Sequence, residues 1–423
     1  MHILFLSNYF PPEVNAPATR LHEHARQWVA DGHTVDVLTS VPNFPEGEVY
    51  EGYENRLTEE ERDGIRVTRV PMYISPNEGV IQRVLSYLSF MLSACWYAGR
   101  LPTPDVVVAT SPQFFAALAG YVVAWRKDVP FVLEIRDLWP ESIVAVGAMS
   151  RNVIIRFLEW VERVLYRKAE HIVVVTDSFE EAIAEKDIAR NKISVIKNGI
   201  ETAWWDEPLD EDRLAELRRK HALEDKFVAS YIGTIGMAHC ADILLEAARR
   251  CDDPDIVFIV VGTGAKKDEL AARQAELELD NFRLVDKVPK EQVPYLLALS
   301  DTSVVHLRDD PLFETVIPSK IFEAMATGTP IVLGVRGESQ RIVETAEAGL
   351  PIPPEDPDAL AEAVRHLEEH PELHAEMAEN AYRHVRAHYD RKGLAREYAA
   401  LLERIAGKES VEVGEDSQLE HVG

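Results

Sequence analysis

Short runs of β-branched and aromatic residues, each followed by a stretch of helix length, recur along this 423-residue chain. In the first half they fall at 3–6, 35–38, 106–109, 131–135 and 172–175. In the second they fall at 227–232, 256–261, 282–285, 303–307 and 331–333. Runs that stay apolar instead of alternating belong to parallel strands covered by helices on both faces, so the pattern predicts an α/β protein with two doubly wound domains. The turn dipeptide Asn198-Gly199 sets the boundary, with one domain over 1–199 and a second over 200–385. After the prolines at 351, 353, 354 and 357 the periodicity is helical over 359–370 and from 372 to about 406, which includes a terminal helix over 386–406. Residues 407–423 lack an apolar face and read as a disordered acidic tail.

One helical stretch, 80–101, is strongly apolar, with Ser86, Ser89 and Ser93 on one stripe. Its length borders on that of a membrane span, but the serines and the surrounding α/β pattern argue against one. Two readings stay open: a buried helix, or a face that makes peripheral contact with a bilayer.

Composition narrows the class. The chain is too long for one compact core, and 46% hydrophobic with 28% charged residues is a soluble, globular balance. The net charge of −27 and the lack of basic runs exclude nucleic acid as a partner. Cys95, Cys240 and Cys251 show neither paired spacing nor a histidine cluster, which predicts no disulfide framework and no zinc site. The N-terminal residues run straight into a strand pattern, so the expectation is a cytoplasmic protein without a signal peptide.

The densest chemistry lies in Pro318-Ser319-Lys320-Ile321-Phe322-Glu323-Ala324-Met325-Ala326-Thr327-Gly328-Thr329-Pro330. Ser319 is a candidate cap, and Lys320 and Glu323 are i,i+3 neighbours at a helix start. A lysine there suits a phosphate, and a glutamate one turn on suits sugar hydroxyls. An ordinary amphipathic helix with a surface ion pair is the plainer alternative. Gly233-Thr234-Ile235-Gly236 follows a strand and precedes a helix, so open N–H groups there could meet a diphosphate, unless it is a simple turn. Gly262-Thr263-Gly264 after the next strand is weak by itself, and no dinucleotide fingerprint is present. Arg136, Asp137 and Trp139 follow a strand's carboxyl end, where open α/β sheets bind ligands. There Arg136 could anchor a charged group, Asp137 orient it and Trp139 pack on a sugar, the alternative being a buried Arg–Asp pair. Glu338 could touch a sugar or serve a helix start, and Asp309-Asp310 read as solvated loop acids, not metal ligands.

The 318–332 segment resembles the donor-binding motif of retaining glycosyltransferases of family four. Its Pro-Ser-Lys form is similar to the L-fucosamine transferase-like (WbuB-like) branch, which builds O-antigen, capsule and exopolysaccharide. The resemblance implies the GT-B fold: two Rossmann-like domains facing a central cleft, with the 386–406 helix crossing back to the first. It implies that Glu323 holds the ribose and that Gly233, Thr234, Gly236, Gly262 and Gly264 form the nucleotide loops. Thr234 and His239 stand where the family carries basic residues, which leaves Lys320, aided by Arg308, for the phosphates. Thr315 replaces a family glutamate, and the nearest acid, Glu314, is one residue out of register. On the acceptor side the family's glycines are replaced by Asn15, Ala16 and Pro17, with Arg20 a candidate phosphate contact, and Arg136 stands where relatives have a histidine.

The implied activity is retaining, metal-independent transfer from a nucleotide-sugar, expected to be a UDP-sugar, to a lipid-linked saccharide acceptor, without a cofactor. Lys320, Arg136 and Asp137 are the catalytic candidates; Glu338 joins the donor set and Trp139 the acceptor set. Two alternatives share the fold: a UDP-sugar 2-epimerase, and a non-catalytic nucleotide-sugar-binding subunit.

Overall fold

The computed structural model describes residues 1–44, 46–75, 80–111, 113–141 and 152–408. Eight strands, β1 (His2–Leu6), β2 (Thr34–Ser40), β3 (Thr58–Arg62), β4 (Ile65–Val70), β5 (Val106–Ser111), β6 (Phe131–Ile135), β7 (His171–Val174) and β8 (Ile193–Val195), form one sheet, ordered β3-β4-β2-β1-β5-β6-β7-β8. Six more, β9 (Phe227–Ile232), β10 (Ile256–Gly262), β11 (Phe282–Asp286), β12 (Thr302–His306), β13 (Ile331–Gly334) and β14 (Gly349–Pro351), form a second, ordered β11-β10-β9-β12-β13-β14. Helices α1 (Ala16–Ala30), α2 (Val80–Tyr97), α3 (Phe114–Lys127), α4 (Val153–Lys168) and α5 (Asp177–Ala184) accompany the first sheet. Then follow α6 (Thr202–Trp205), α7 (Glu211–Lys220), α8 (Asp242–Arg250), α9 (Lys267–Leu277) and α10 (Val293–Ala298). The remainder are α11 (Lys320–Ala326), α12 (Glu338–Thr345), α13 (Pro357–Glu369), α14 (Pro371–His388) and α15 (Arg391–Ile405). Packing divides the chain into two compact units, 1–136 with 157–173 and 395 onward, and 137–156 with 174–394.

All ten apolar runs are strands, and β1, β5, β10 and β13 are buried because helices cover both faces of each sheet. In the first sheet β1 and β2 step one way while β5, β6 and β7 step the other. Right-handed crossovers then put α1 on one face and α3 and α4 on the opposite one. In the second, Leu244 and Leu245 of α8 pack with Leu360 and Val364 of α13, and Phe322 and Met325 of α11 pack with Ala381 and Val385 of α14.

The pattern of apolar runs passed over the antiparallel pair β3-β4, because β3 reads Thr-Glu-Glu-Glu-Arg and lies on the sheet's edge. Its signal was the turn: Asp63 and Gly64 both take positive φ, 53° and 77°, as the two-residue hairpin turn demands. The stretch at 80–101 is not a fully buried helix: α2 buries Phe90 and Ala94 but leaves Leu92 and Trp96 exposed. No helix among the described residues is long and apolar enough to cross a membrane. The single terminal helix expected over 386–406 is two helices. The chain breaks at Tyr389, where Asp390 bridges to Ile200, accepts from the Thr202 hydroxyl at 2.8 Å and receives the Gly393 N–H. The tail expected to be disordered lies, from 409, outside the described residues.

The last helix closes the first unit. The Trp28 indole N–H of α1 donates to the Ala395 carbonyl at 2.7 Å, and the Trp28 ring meets Tyr398 edge-on at 5.4 Å. Trp28 is fully buried, so Trp28→Ala should lower the free energy of unfolding by about 3–5 kcal/mol in denaturant titration, and a loss below about 1 kcal/mol would show that α15 is not held this way.

Candidate functional site

The second sheet changes direction between β9 and β12, and an open α/β sheet leaves a crevice at the carboxyl ends of the strands there. A cavity of about 290 Å³ occupies that place, lined by Gly233, Thr234, His306, Ser319, Lys320 and Glu323 among others. Lys320 opens α11, and its Nζ stands 3.5 Å from the ring centroid of Tyr231 on β9. Glycine is required at 233 because a Cβ there would press into the Lys320 side chain, in a backbone conformation, φ 144°, that L side chains avoid. The expected Ser319 cap does not form: Ser319 is already helical and its hydroxyl makes no capping bond.

Burial sets the electrostatics. It holds the Lys320 ammonium down to about 7, against the pull of Glu323, and it pushes the Glu323 carboxyl up, against Lys320 and Lys290. Among the described residues no ion pair joins Lys320 to Glu323, although each feels the other's charge. His239, read from the sequence as standing in a basic family position, supplies no charge, because burial and the Lys320 charge hold it down to about 4. An anion entering beside Lys320 would favour its charged form.

The nucleotide loops hold one another. Gly233 N–H donates to Val261 O at 2.8 Å, Ile235 N–H to Thr263 O at 2.9 Å, and Lys266 N–H to Ile235 O at 3.0 Å. A Cβ on Gly262 would strike the Gly233 carbonyl, and one on Gly264 the Ile235 carbonyl. Gly262 and Gly264 thus let two backbones pack. Three residues not anticipated from sequence complete the support. Tyr231 lies beneath the ammonium; Glu355 donates its N–H to His306 Nε2 at 2.8 Å; and the His306 proton consequently sits on Nδ1, which donates to the His239 carbonyl at 3.2 Å. Only the close fit of Gly334 against the His306 ring marks this in the sequence, and a lone glycine does not reveal its neighbour.

Other candidates fall elsewhere. Arg308 and Gly236 line a neighbouring cavity of about 340 Å³ with Cys240 and Glu355. Glu314 is exposed and does not line the Lys320 cavity, and its backbone packs against Gly337. Glu338, read from the sequence either as a sugar contact or as serving a helix start, has its carboxylate engaged within the protein. Its carboxylate is buried, accepts the N–H groups of Asp177 and Ser178 at 3.1 Å each, and lies 3.3 Å from Lys197, so it secures the start of α5. Asp137 and Trp139 are partly buried and line neither cavity. In the first unit Asn15 caps α1 through Ala18 N–H at 2.9 Å. Arg20 is buried 3.6 Å from Glu134 and is not a surface residue, and Arg136 lies 3.7 Å from the same carboxylate. Glu13, given no role by the sequence, is buried and pushed up to about 7 by burial, and it ties residues 8–15 to the next loop through the N–H groups of Asn43 and Phe44.

Two doubly wound units, the second with its cavity at the switch point, make this a GT-B fold. The sequence profile of the glycosyl transferase 4-like domain matches residues 15–199, and that of glycosyl transferases group 1 matches 214–384. Together they span most of the chain, which belongs to these glycosyltransferases. Escherichia coli WcaI, assigned to colanic acid biosynthesis, is 24% identical over 373 residues, 86% of this chain and 91% of its own length. The D-rhamnosyltransferase WbpZ of Pseudomonas aeruginosa is 27% identical over 281 residues, 66% of this chain and 68% of its own. Anabaena HepE, solved in complex with UDP, superposes with a TM-score of 0.71 at 18% identity, covering 96% of this chain and all of that one.

Gly262→Ala should destabilise the second unit by about 2 kcal/mol, read as a lowered denaturation midpoint, since the added Cβ must displace backbone. An unchanged midpoint would show that the two loops are not packed as described.

Proposed function

We propose that this glycosyltransferase takes a sugar from a UDP-sugar and transfers it, with retention at the anomeric carbon, to a lipid-linked saccharide during cell-surface polysaccharide synthesis. The observation that carries this reading is the buried lysine at the switch point with a glutamate one turn away. The diphosphate of the donor lies beside Lys320 and the backbone N–H groups near Gly233, and the Glu323 carboxylate accepts from the two ribose hydroxyls. As the bond from anomeric carbon to phosphate oxygen stretches, negative charge grows on the leaving diphosphate, and the Lys320 ammonium stabilises that charge. The departing phosphate oxygen takes the proton of the acceptor hydroxyl, which attacks from the same face, so configuration is kept. No metal or cofactor is needed for this assignment. UDP as the nucleotide is supported by HepE having been solved with UDP, and the saccharide acceptor by relatives such as WcaI. A lipid-linked acceptor and the WbuB-like branch rest on the Pro318-Ser319-Lys320 form of the motif.

Removing a donor that serves mainly the transition state costs turnover more than binding. Lys320→Ala should therefore reduce kcat with a UDP-sugar about 100- to 1,000-fold with a smaller change in KM, and equal turnover would remove Lys320 from its role. The pH dependence has a definite sign. Lys320 titrates near 7 in the empty site, and a bound diphosphate raises that value, so affinity for UDP-sugar is fullest below pH 7. It should fall as pH rises above 7, by up to about tenfold per unit, until the bound lysine also deprotonates. A flat affinity between pH 6 and 9 would contradict this.

A further inference from the structure

We propose that the outward face of α4 seats this protein on an anionic phospholipid bilayer. The helix already has a complete inner face: Ile155, Leu165 and Tyr166 are buried, and buried Glu162 accepts the Tyr166 hydroxyl at 2.6 Å. Four other apolar residues of the helix are left exposed. Val153 is 82% exposed, Ile154 60%, Phe157 58% and Trp160 60%, and the Phe157 and Trp160 rings stack at 5.9 Å. At 100° per residue, Val153, Phe157 and Trp160 form one stripe, flanked by Arg156, Arg163 and Arg167.

Charge selects the occupant. Every fully exposed charged residue of α4 is basic: Arg156, Arg163, Arg167 and Lys168, while Glu159 is half-buried and Glu162 buried. This occurs in a chain of net charge −27, so the face opposes the sign of the rest of the molecule. An aromatic stripe edged with arginines matches the boundary between headgroups and acyl chains of a bilayer with negative lipids. The surface is also broad. Helices α2 and α3, in the same helical layer, expose Trp96 and Trp125, each 72% accessible, and Arg126 of α3 donates to the Cys95 carbonyl of α2 at 3.2 Å. A spread of aromatic tips over one layer fits a plane better than a peptide groove. The sequence placed any bilayer contact at 80–101; the exposed aromatic stripe instead lies on α4, and α2 packs on α3. The inference rests on this surface and does not depend on the transfer reaction.

The test is flotation of the purified full chain, without nucleotide, with vesicles of phosphatidylcholine alone or of phosphatidylcholine and phosphatidylglycerol in equal parts. Binding should favour the anionic vesicles and weaken as salt is raised. Phe157→Ser with Trp160→Ser, and separately Arg156→Glu with Arg163→Glu, should each weaken binding about tenfold or more. Thermal midpoints and UDP affinity should stay unchanged, because these side chains are exposed. Variants that bind anionic vesicles as well as the parent, or a parent that floats no better with anionic than neutral vesicles, would overturn the proposal. A parent dimer converted to monomer by the Phe157 and Trp160 changes, with no vesicle binding by either, would assign the face to self-association and also overturn it. Vesicle binding by a protein with no affinity for UDP would uphold the docking face while removing the proposed transfer reaction.

Discussion

Placing a lysine ammonium against the ring of Tyr231, out of bulk water, is the constraint around which the second unit is arranged. A desolvated ammonium is costly, and an aromatic face recovers only part of that cost, so the group loses its proton near neutrality. The surroundings must leave room for the side chain without offering it a fixed anion. Gly233 provides the room, Gly262 and Gly264 allow the adjoining backbones to close behind it, and the raised Glu323 carboxyl does not form an ion pair with it.

His306 shows how this arrangement is kept in register. Its ring joins the turn carrying Glu355 to the loop carrying His239, with one nitrogen accepting and the other donating, and burial keeps it neutral. A second proton on the ring would displace the Glu355 N–H, so the bridge exists only in the neutral form. Beside Lys320, neither Thr234 nor neutral His239 brings a positive charge.

Much of the fold was legible because long apolar runs in parallel strands have few other uses. The strand at 58–62 was not, since an exposed edge strand of glutamates carries no apolar signal and only Asp63-Gly64 betrays the hairpin. The helix from 372 to 406 misled because Tyr389 and Asp390 do not look like breakers; the break comes from bonds to residues almost two hundred positions away. At the cavity, the placing of Lys320 and Glu323 at a helix start and of Gly233 after a strand was legible in the spacing. For Glu338 two readings stayed open, because a buried carboxylate that serves a helix start looks, in one dimension, like one awaiting a ligand. Tyr231 and His306 sit inside strand runs and pass for core.

The central claim is that the cavity beside Lys320 is a nucleotide site in which Glu323 grips the ribose. Calorimetric titration of the purified chain with UDP, GDP and ADP, repeated on Glu323→Ala, tests it most directly. The account predicts that UDP binds in preference to the other two and that the substitution weakens binding by about tenfold or more, as expected when a charged partner of two hydroxyls is removed. Equal affinity of the parent and Glu323→Ala for UDP, or no binding of any nucleotide, would contradict it.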